Sequence, residues 1–229
     1  MSEGFYIGLD PSASSSKPSG ICVLNRKGVI VLVGKWFEFS EITEKLNSLI
    51  GNVKVVAIDG PLQPPHELDR CCFSSKSIIC EHQQTTPYKG RYCEQLLLRK
   101  GYRCFVTSKN SFAKKWVERC FILNDFIKDS GFRIIEVFPY ATRKILFPDL
   151  EGKKQYTSFR IRLQSRLNHF GINFPIHHKI YTHDELDSIL ASITGLLDAQ
   201  GKSEILGDDL DGYIVIPRLS KPPISLSHI

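Results

Sequence analysis

The stretch Phe5–Leu24, FYIGLDPSASSSKPSGICVL, opens with an apolar run that ends in a carboxylate, Asp10, followed at once by Pro11. A turn rich in Ser, Gly and Pro comes next, and then a second apolar run, Ile21–Leu24. The pattern reads as a hairpin whose first strand is bound for the core and yet finishes in a charge. Val29–Phe39 continues as a third strand after the turn from Asn25 to Gly28, which makes a three-strand meander.

The feature recurs. VKVVAID, Val53–Asp59, is a continuous apolar run of the kind buried on both faces; it too ends in Asp and meets Pro61 two residues later. If the two strands are parallel neighbours, Asp10 and Asp59 meet at the carboxyl edge of the sheet, where open α/β sheets place their ligand sites. Two like charges so close either share a proton or are held by a cation. The alternative for each is an Asp that starts a turn by bonding its own backbone.

A third acidic element lies in THDELDSILASITGLLDAQG. Thr182 and Glu185 fit a capping box, so a helix is expected from about His183, with Leu186, Ile189, Leu190, Ile193 and Leu197 as its apolar face. At ~100° per residue Asp187 borders the buried stripe and Asp184 lies further toward solvent, which makes Asp187 the better ligand candidate. Asp184 alternatively complements the helix dipole in the first turn. Asp10, Asp59, Asp184 and Asp187 together form an oxygen-only donor set suited to Mg²⁺ or Mn²⁺. With two metals ~4 Å apart, such a set carries out in-line phosphoryl displacement. No Ser/His/Asp motif, Walker loop, GxGxxG or CxxC pair competes with it.

The chain has 229 residues, 42% hydrophobic and 24% charged, the composition of an ordinary soluble globular protein and not of a disordered one. It shows no signal-peptide pattern and no apolar run near the ~18 residues that span a bilayer, so a cytoplasmic protein without a membrane partner is expected. Seven cysteines fit reduced thiols better than a closed disulfide framework. The net charge of +6 favours an anionic partner. Beyond Asp59, residues 60–90 read as a long irregular loop or insertion, with helices expected at Tyr92–Lys100, Phe112–Lys128, Tyr156–Phe170 and Asp184–Gln200. RIIEVFP and DGYIVIP supply further strands. Strands alternating with helices after a meander make an α/β pattern.

A meander with Asp on its first strand, a fourth strand ending in an acid and a C-terminal helix with paired Asp resemble the ribonuclease H-like fold. GLDPS, AIDGP and DELDSILA are most similar to its RuvC-type resolvase branch, although the second acid is Asp59 where those enzymes carry Glu. GLDPS, AIDGPL, RYCEQLLLRKGY, IIEVFPYATRKIL, HDELDSILAS and LDGYIVIP also recur in order as in the domain of unknown function 429 family, described as nucleases predicted from a ribonuclease H fold. The resemblance implies a single domain over residues 1–229 with a central mixed five-stranded sheet flanked by helices and an irregular insertion after the fourth strand. It implies a metal-dependent nuclease in which Asp10 bridges two ions, Asp59 holds one, and Asp187 with Asp184 completes the other's shell.

Several other residues are candidates for the same site. Glu136 sits inside an apolar strand, where a lone charge is costly, so it either reaches the acidic cluster or meets an arginine such as Arg91. Arg91 and Glu94 either line the cleft or form a surface ion pair. Lys109, Lys114, Lys115, Lys153, Lys154, Arg160, Arg162 and Arg166 make a basic middle region that contacts nucleic-acid phosphates, DNA or RNA, or is a solvated face. Tyr88, Tyr92 and Trp116 stack on bases or are buried. Cys71, Cys72, Cys80, His82 and Cys93 match no familiar zinc-site spacing. The competing functions are a non-catalytic nucleic-acid-binding or scaffold protein of the same fold, and a phosphotransferase or phosphoesterase acting on a small phosphate substrate.

Overall fold

Alternation along two buried strands sets the layering of the molecule. A computed structural model of the chain describes residues 4–46, 49, 52–74, 80, 90–176, 178–219 and 226. The elements run β1 (Phe5–Asp10), β2 (Ser19–Asn25), β3 (Ile30–Trp36), α1 (Phe39–Leu46), β4 (Val53–Asp59), a 3-10 turn (Arg70–Phe73), α2 (Tyr92–Arg99), α3 (Lys114–Lys128), β5 (Arg133–Val137), α4 (Pro139–Leu146), α5 (Thr157–Phe170), α6 (His183–Ala199), β6 (Ser203–Asp208) and β7 (Gly212–Pro217). One face of β1 and β4, including Phe5, Ile7, Leu9, Val56 and Ile58, packs with Leu123 and Ile127 of α3 and Ile42 and Leu46 of α1. The alternate residues Tyr6, Val55 and Ala57 pack with α4, α5 and α6 on the other side.

The sheet is mixed, in the order β3-β2-β1-β4-β5-β7-β6. β2 is antiparallel to β1 and β3, while β1, β4, β5 and β7 run parallel. The described residues hold seven strands, not the five expected from the sequence. The resemblance's five leave out the β6–β7 hairpin beyond β5; DGYIVIP, read as a strand from the sequence, is β7, and the strand not read there is β6, a half-exposed edge strand, SEILGD, that carries Glu204 and Gly207 and so lacks a clean apolar alternation. Of residues 60–90, those described contain the Arg70–Phe73 turn and no strand. Among the described residues no helix is long and apolar enough to cross a membrane.

Helix α6 begins as the sequence indicates. Thr182 Oγ1 accepts from the Glu185 amide at 3.3 Å, and Glu185 Oε2 accepts from the Thr182 amide at 2.8 Å. Fourteen of its seventeen residues are buried. It approaches the sheet at backbone distance: a Cβ at Gly8 would stand 1.9 Å from the Ser188 carbonyl oxygen and 2.5 Å from the Ser192 nitrogen. A Cβ at Gly20 would stand 2.1 Å from the Asp184 oxygen. Ser188 and Ser192 turn their hydroxyls back onto the helix carbonyls of Glu185 and Ile189, both at 2.8 Å, so the tight seam holds no unmet donor.

Gly8→Ala is therefore expected to cost about 3 kcal/mol or more, because the obstructing atoms are main chain and cannot turn aside. Gly34→Ala on β3, where a Cβ meets nothing within 4 Å, should stay within about 1 kcal/mol of the parent. Urea denaturation of the two variants checks the contrast; equal costs would mean that α6 is not seated on β1 at this distance.

Candidate metal centre

Strand register brings the first two acids together. Gly8 pairs with Ala57 and Leu9 with Ile58, so one residue further on Asp10 stands beside Asp59 at the parallel strands' carboxyl ends. Alternation puts both on the face that α6 covers, since Tyr6, Val55 and Ala57 face the same way. Asp187, in the second turn of α6 and next to the Ser188 that touches Gly8, completes the group. Carboxylate oxygens of Asp10, Asp59 and Asp187 all lie within 4.8 Å of one another. Asp184, one turn earlier, is outside the group and pairs with its neighbour His183 at 3.0 Å.

A residue that the sequence showed merely as part of a basic run enters the cluster. Lys154 Nζ donates to Asp187 Oδ2 at 2.6 Å. Burial pushes the Asp10 carboxyl well above its ordinary range, and Asp59, Asp187 and Asp184 push it further, against the opposing pull of Lys154. Burial, then Asp187, raises Asp59 to about 8, again with Lys154 opposing and Glu136 adding to the rise. Burial works against the charge on Lys154, but Asp187, Asp10 and Asp59 outweigh it and hold the ammonium protonated. One ammonium thus leaves the three carboxylates short of positive charge. Oxygen donors that converge with uncompensated charge fit a hard divalent cation such as Mg²⁺ or Mn²⁺.

The cluster opens into a cleft of about 470 Å³ whose lining includes Asp59, Arg143, Lys154, Arg160, His183 and Asp187. The three arginines named from the sequence separate here. Arg160 lines the cleft, donating to the Tyr181 carbonyl at 3.2 Å, whereas Arg162 donates to the Glu151 carbonyl at 2.8 Å and Arg166 is paired with Asp149. Lys114 and Lys115 lie in a second groove with Ala13, Phe112 and Trp116, against the β1–β2 turn. Trp116 is tied into that turn by its indole, which donates to the Pro11 carbonyl at 2.9 Å. Tyr92 is partly exposed at the start of α2, and Tyr88 lies outside the described residues.

Glu136 does not join the acids. Its neighbours Ile135 and Val137 face α6, so Glu136 points through the other side of β5. There Arg91 grips it in a two-pronged pair, with Nη1 to Oε2 at 2.9 Å and Nη2 to Oε1. Arg91 Nε also donates to Glu94 Oε1 at 2.9 Å, and Glu94 accepts from both the amide and the hydroxyl of Thr107. All three charged side chains are buried, so Arg91 and Glu94 form no surface pair; together with Glu136, Trp116 and Asp59 they line a small pocket of about 50 Å³ rather than the larger cleft. The signal for this network was available in the sequence: Glu136 is out of phase with the apolar residues that flank it.

Two solved structures of RuvC from Thermus thermophilus are similar to the chain. One, in complex with Holliday junction substrate, aligns at 11% identity over 86% of this chain and 96% of that one, with a TM-score of 0.39. The other aligns at 9% identity over 85% and 95%, with a TM-score of 0.38. No protein-family model matches, so the likeness to the domain of unknown function 429 family stands on the quoted motifs, and no curated protein matches. The reading of the site rests on its own geometry.

Two outcomes are expected. An acid with a raised folded-state pKa gives the native state the greater proton affinity, so in chelator the protein should lose stability as pH rises from about 4 toward about 8. Asp59→Asn should flatten that slope in denaturation curves taken across the range; an unaltered slope would place the titration elsewhere. Lys154→Met removes the tethered competitor and should tighten Mn²⁺ binding by about tenfold, read by calorimetry, the equivalent of ~1.4 kcal/mol. Unchanged affinity would mean that Lys154 and the ion do not compete.

Proposed function

We propose that this chain is a divalent-metal-dependent nuclease of ribonuclease H-like fold, which hydrolyses phosphodiester bonds of nucleic acid at Asp10, Asp59 and Asp187. The convergence of three carboxylates from two parallel strand ends and one helix carries the reading. The meander, the parallel fourth strand and the acidic C-terminal helix are the features on which the ribonuclease H-like resemblance rests.

Asp10, Asp59 and Asp187 hold Mg²⁺ or Mn²⁺, and Asp184 is the further donor that a second ion would call on. When bound, the metal supplies Lewis-acid polarisation of a phosphoryl group and activation of water. The remaining work belongs to side chains of the cleft. Lys154 is a charged donor at the acids and Arg160 a second one on the same wall, so a phosphodiester entering the cleft meets positive charge close to the carboxylates that would otherwise repel it. Arg143 shapes the wall: its guanidinium lies over Tyr140 and Phe159 and donates to the Leu150 carbonyl at 2.8 Å, bracing the segment that carries Lys154. In the groove against the β1–β2 turn, Phe112 is 93% exposed and stands edge-on to Phe105, which in turn meets Trp116. An aromatic so exposed, beside Lys114 and Lys115, suits stacking by an unpaired base.

The bond between Lys154 and Asp187 favours a second reading, a nucleic-acid-binding protein of the same fold whose acids are neutralised by its own lysine. Cleavage assays separate the two. Asp10→Asn should abolish Mn²⁺-dependent cleavage while binding substrate as well as the parent, and Asp187→Ala should lower kcat by a larger factor than Asp184→Ala. A parent protein that binds nucleic acid and never cuts it with either metal would establish the second reading. For binding, Arg160→Gln should reduce the salt slope by ~1, whereas Arg162→Gln and Arg166→Gln should leave it nearly unchanged because Arg160 alone of the three lines the cleft. Phe112→Ala should weaken single-stranded substrates more than duplex ones at equal thermal stability. Titrations at two salt concentrations read all four variants.

A further inference from the structure

Outside the acidic site, three thiols that the sequence spaces unlike any zinc finger are brought to one point. Cys71 and Cys72 lie on the Arg70–Phe73 turn, and Cys80 folds back onto them. The Cys72 and Cys80 sulfurs are 3.2 Å apart, those of Cys71 and Cys80 3.6 Å, and all three lie within 4.8 Å of one another. Two thiolates on one tetrahedral zinc, each bonded at about 2.3 Å, stand about 3.8 Å apart, whereas a disulfide holds its sulfurs at about 2.05 Å. The Cys71–Cys80 spacing is close to the zinc value, the Cys72–Cys80 spacing is a shorter thiol–thiol contact that a small opening would bring to it, and neither is a disulfide. Cys93 is elsewhere, packed with Leu97 and Ala141, Cys104 approaches the Glu94 carbonyl, and His82 lies outside the described residues.

The location gives such an ion structural work. Residues 60–74 leave the sheet directly after Asp59 and contain one 3-10 turn and no strand, so no backbone ladder secures them. Cys72 is buried in a small cluster with Leu68, Phe73, Val117 and Phe121, which joins this segment to α3. Lys109 Nζ donates to the Cys80 carbonyl at 3.2 Å, bringing a third stretch of chain to the same place. A satellite core this small gains from a metal cross-link much as small domains do.

We propose that Cys71, Cys72 and Cys80 bind one zinc ion as thiolates and fasten the segment after β4 onto α3. Binding releases the thiol protons to solvent and leaves the fourth tetrahedral position to a further donor. The site is soft and sulfur-lined, so it and the hard oxygen cluster select different ions, and it stands whether or not the acidic site cuts nucleic acid.

The test uses the full chain, purified under reducing conditions, incubated with excess Zn²⁺ and desalted. Elemental analysis should find about one zinc per chain, and bound zinc should protect three thiols from a thiol-reactive dye. Replacing zinc by Co²⁺ should give thiolate-to-cobalt charge-transfer absorption with the visible bands of tetrahedral cobalt. Cys72→Ser with Cys80→Ser should lower retained zinc at least ~10-fold and remove the cobalt spectrum. Asp10→Asn should retain both, which separates this site from the acidic one. Because the wild-type metal content, thiol protection and spectrum stand without the variants, misfolding of the double variant does not rescue the idea. Retained zinc well below one per chain, a cobalt spectrum without thiolate bands, or mass-spectrometric detection of a Cys72–Cys80 disulfide in the reduced preparation would overturn it.

Discussion

The contact between α6 and β1 is the constraint on which the site depends. A helix normally rests on a sheet through a layer of side chains, yet here the Ser188 carbonyl would lie 1.9 Å from a Cβ on Gly8, and the Asp184 carbonyl 2.1 Å from one on Gly20. Small residues on both surfaces make this feasible: Gly8 and Gly20 on the strands, Ser188, Ala191, Ser192 and Gly195 on the helix. Because the touching backbone belongs to the residue next to Asp187, any lift of the helix moves that carboxylate away from Asp10 and Asp59. Donors for one ion must hold to within ~0.5 Å, and backbone-on-backbone contact offers less slack than interleaved side chains.

Charge is distributed across the sheet by parity. Asp10 and Asp59 share the α6 face, while Glu136, next to Ile58 in the register, faces the other way. On that far side the Arg91 guanidinium meets Glu136 and Glu94 in full, and the Thr107 and Leu62 amides take up remaining lone pairs. On the near side three carboxylates meet one ammonium, and two of them stay raised. Both groups are ionic, but the far one is buried and closed, whereas the near one, with Asp10 and Asp59 half-buried and Lys154 half-exposed, is left with an appetite for positive charge. That difference separates a structural network from a site, and counting acidic residues alone would not reveal it.

What the sequence makes legible here is what local period and chemistry determine. The meander, the two strands that end in Asp, the Thr182–Glu185 cap and the ranking of Asp187 above Asp184 all follow from spacing within one element. What escapes it depends on partners far along the chain. Lys154 lies 33 residues from Asp187 in a run of charges that has the look of a solvated face, and no periodicity marks it out. The edge strand β6 lacks alternation, and α4 is announced by little more than Pro139 at its first turn. Arg162 and Arg166, one helical turn apart and alike in the sequence, are held by Glu151 and Asp149, contacts set by how the segment before α5 folds back.

The second acid is also the point where the chain leaves the sheet, so its placement depends on what holds the departing segment. Gly60, at φ +151°, presses against the Cys120 sulfur and the Trp116 ring, which leaves no room for a Cβ. Leu62 donates its amide to Glu136, Asn124 of α3 donates to the Leu62 carbonyl, and Gln63 donates to the Leu210 carbonyl. Asp211 then accepts from the His66 amide and ring Nδ1 and from the Tyr92 amide, which ties the β6–β7 turn to both the departing segment and α2. Two of those three donors are main-chain amides with no proton to lose, and neutral His66 still donates from Nδ1 in the tautomer this bond selects. Asp211 raises the His66 imidazole above its ordinary value, so the charged part of this tie is lost as the ring deprotonates on rising pH, while the two amide bonds to Asp211 remain and keep the departing segment attached.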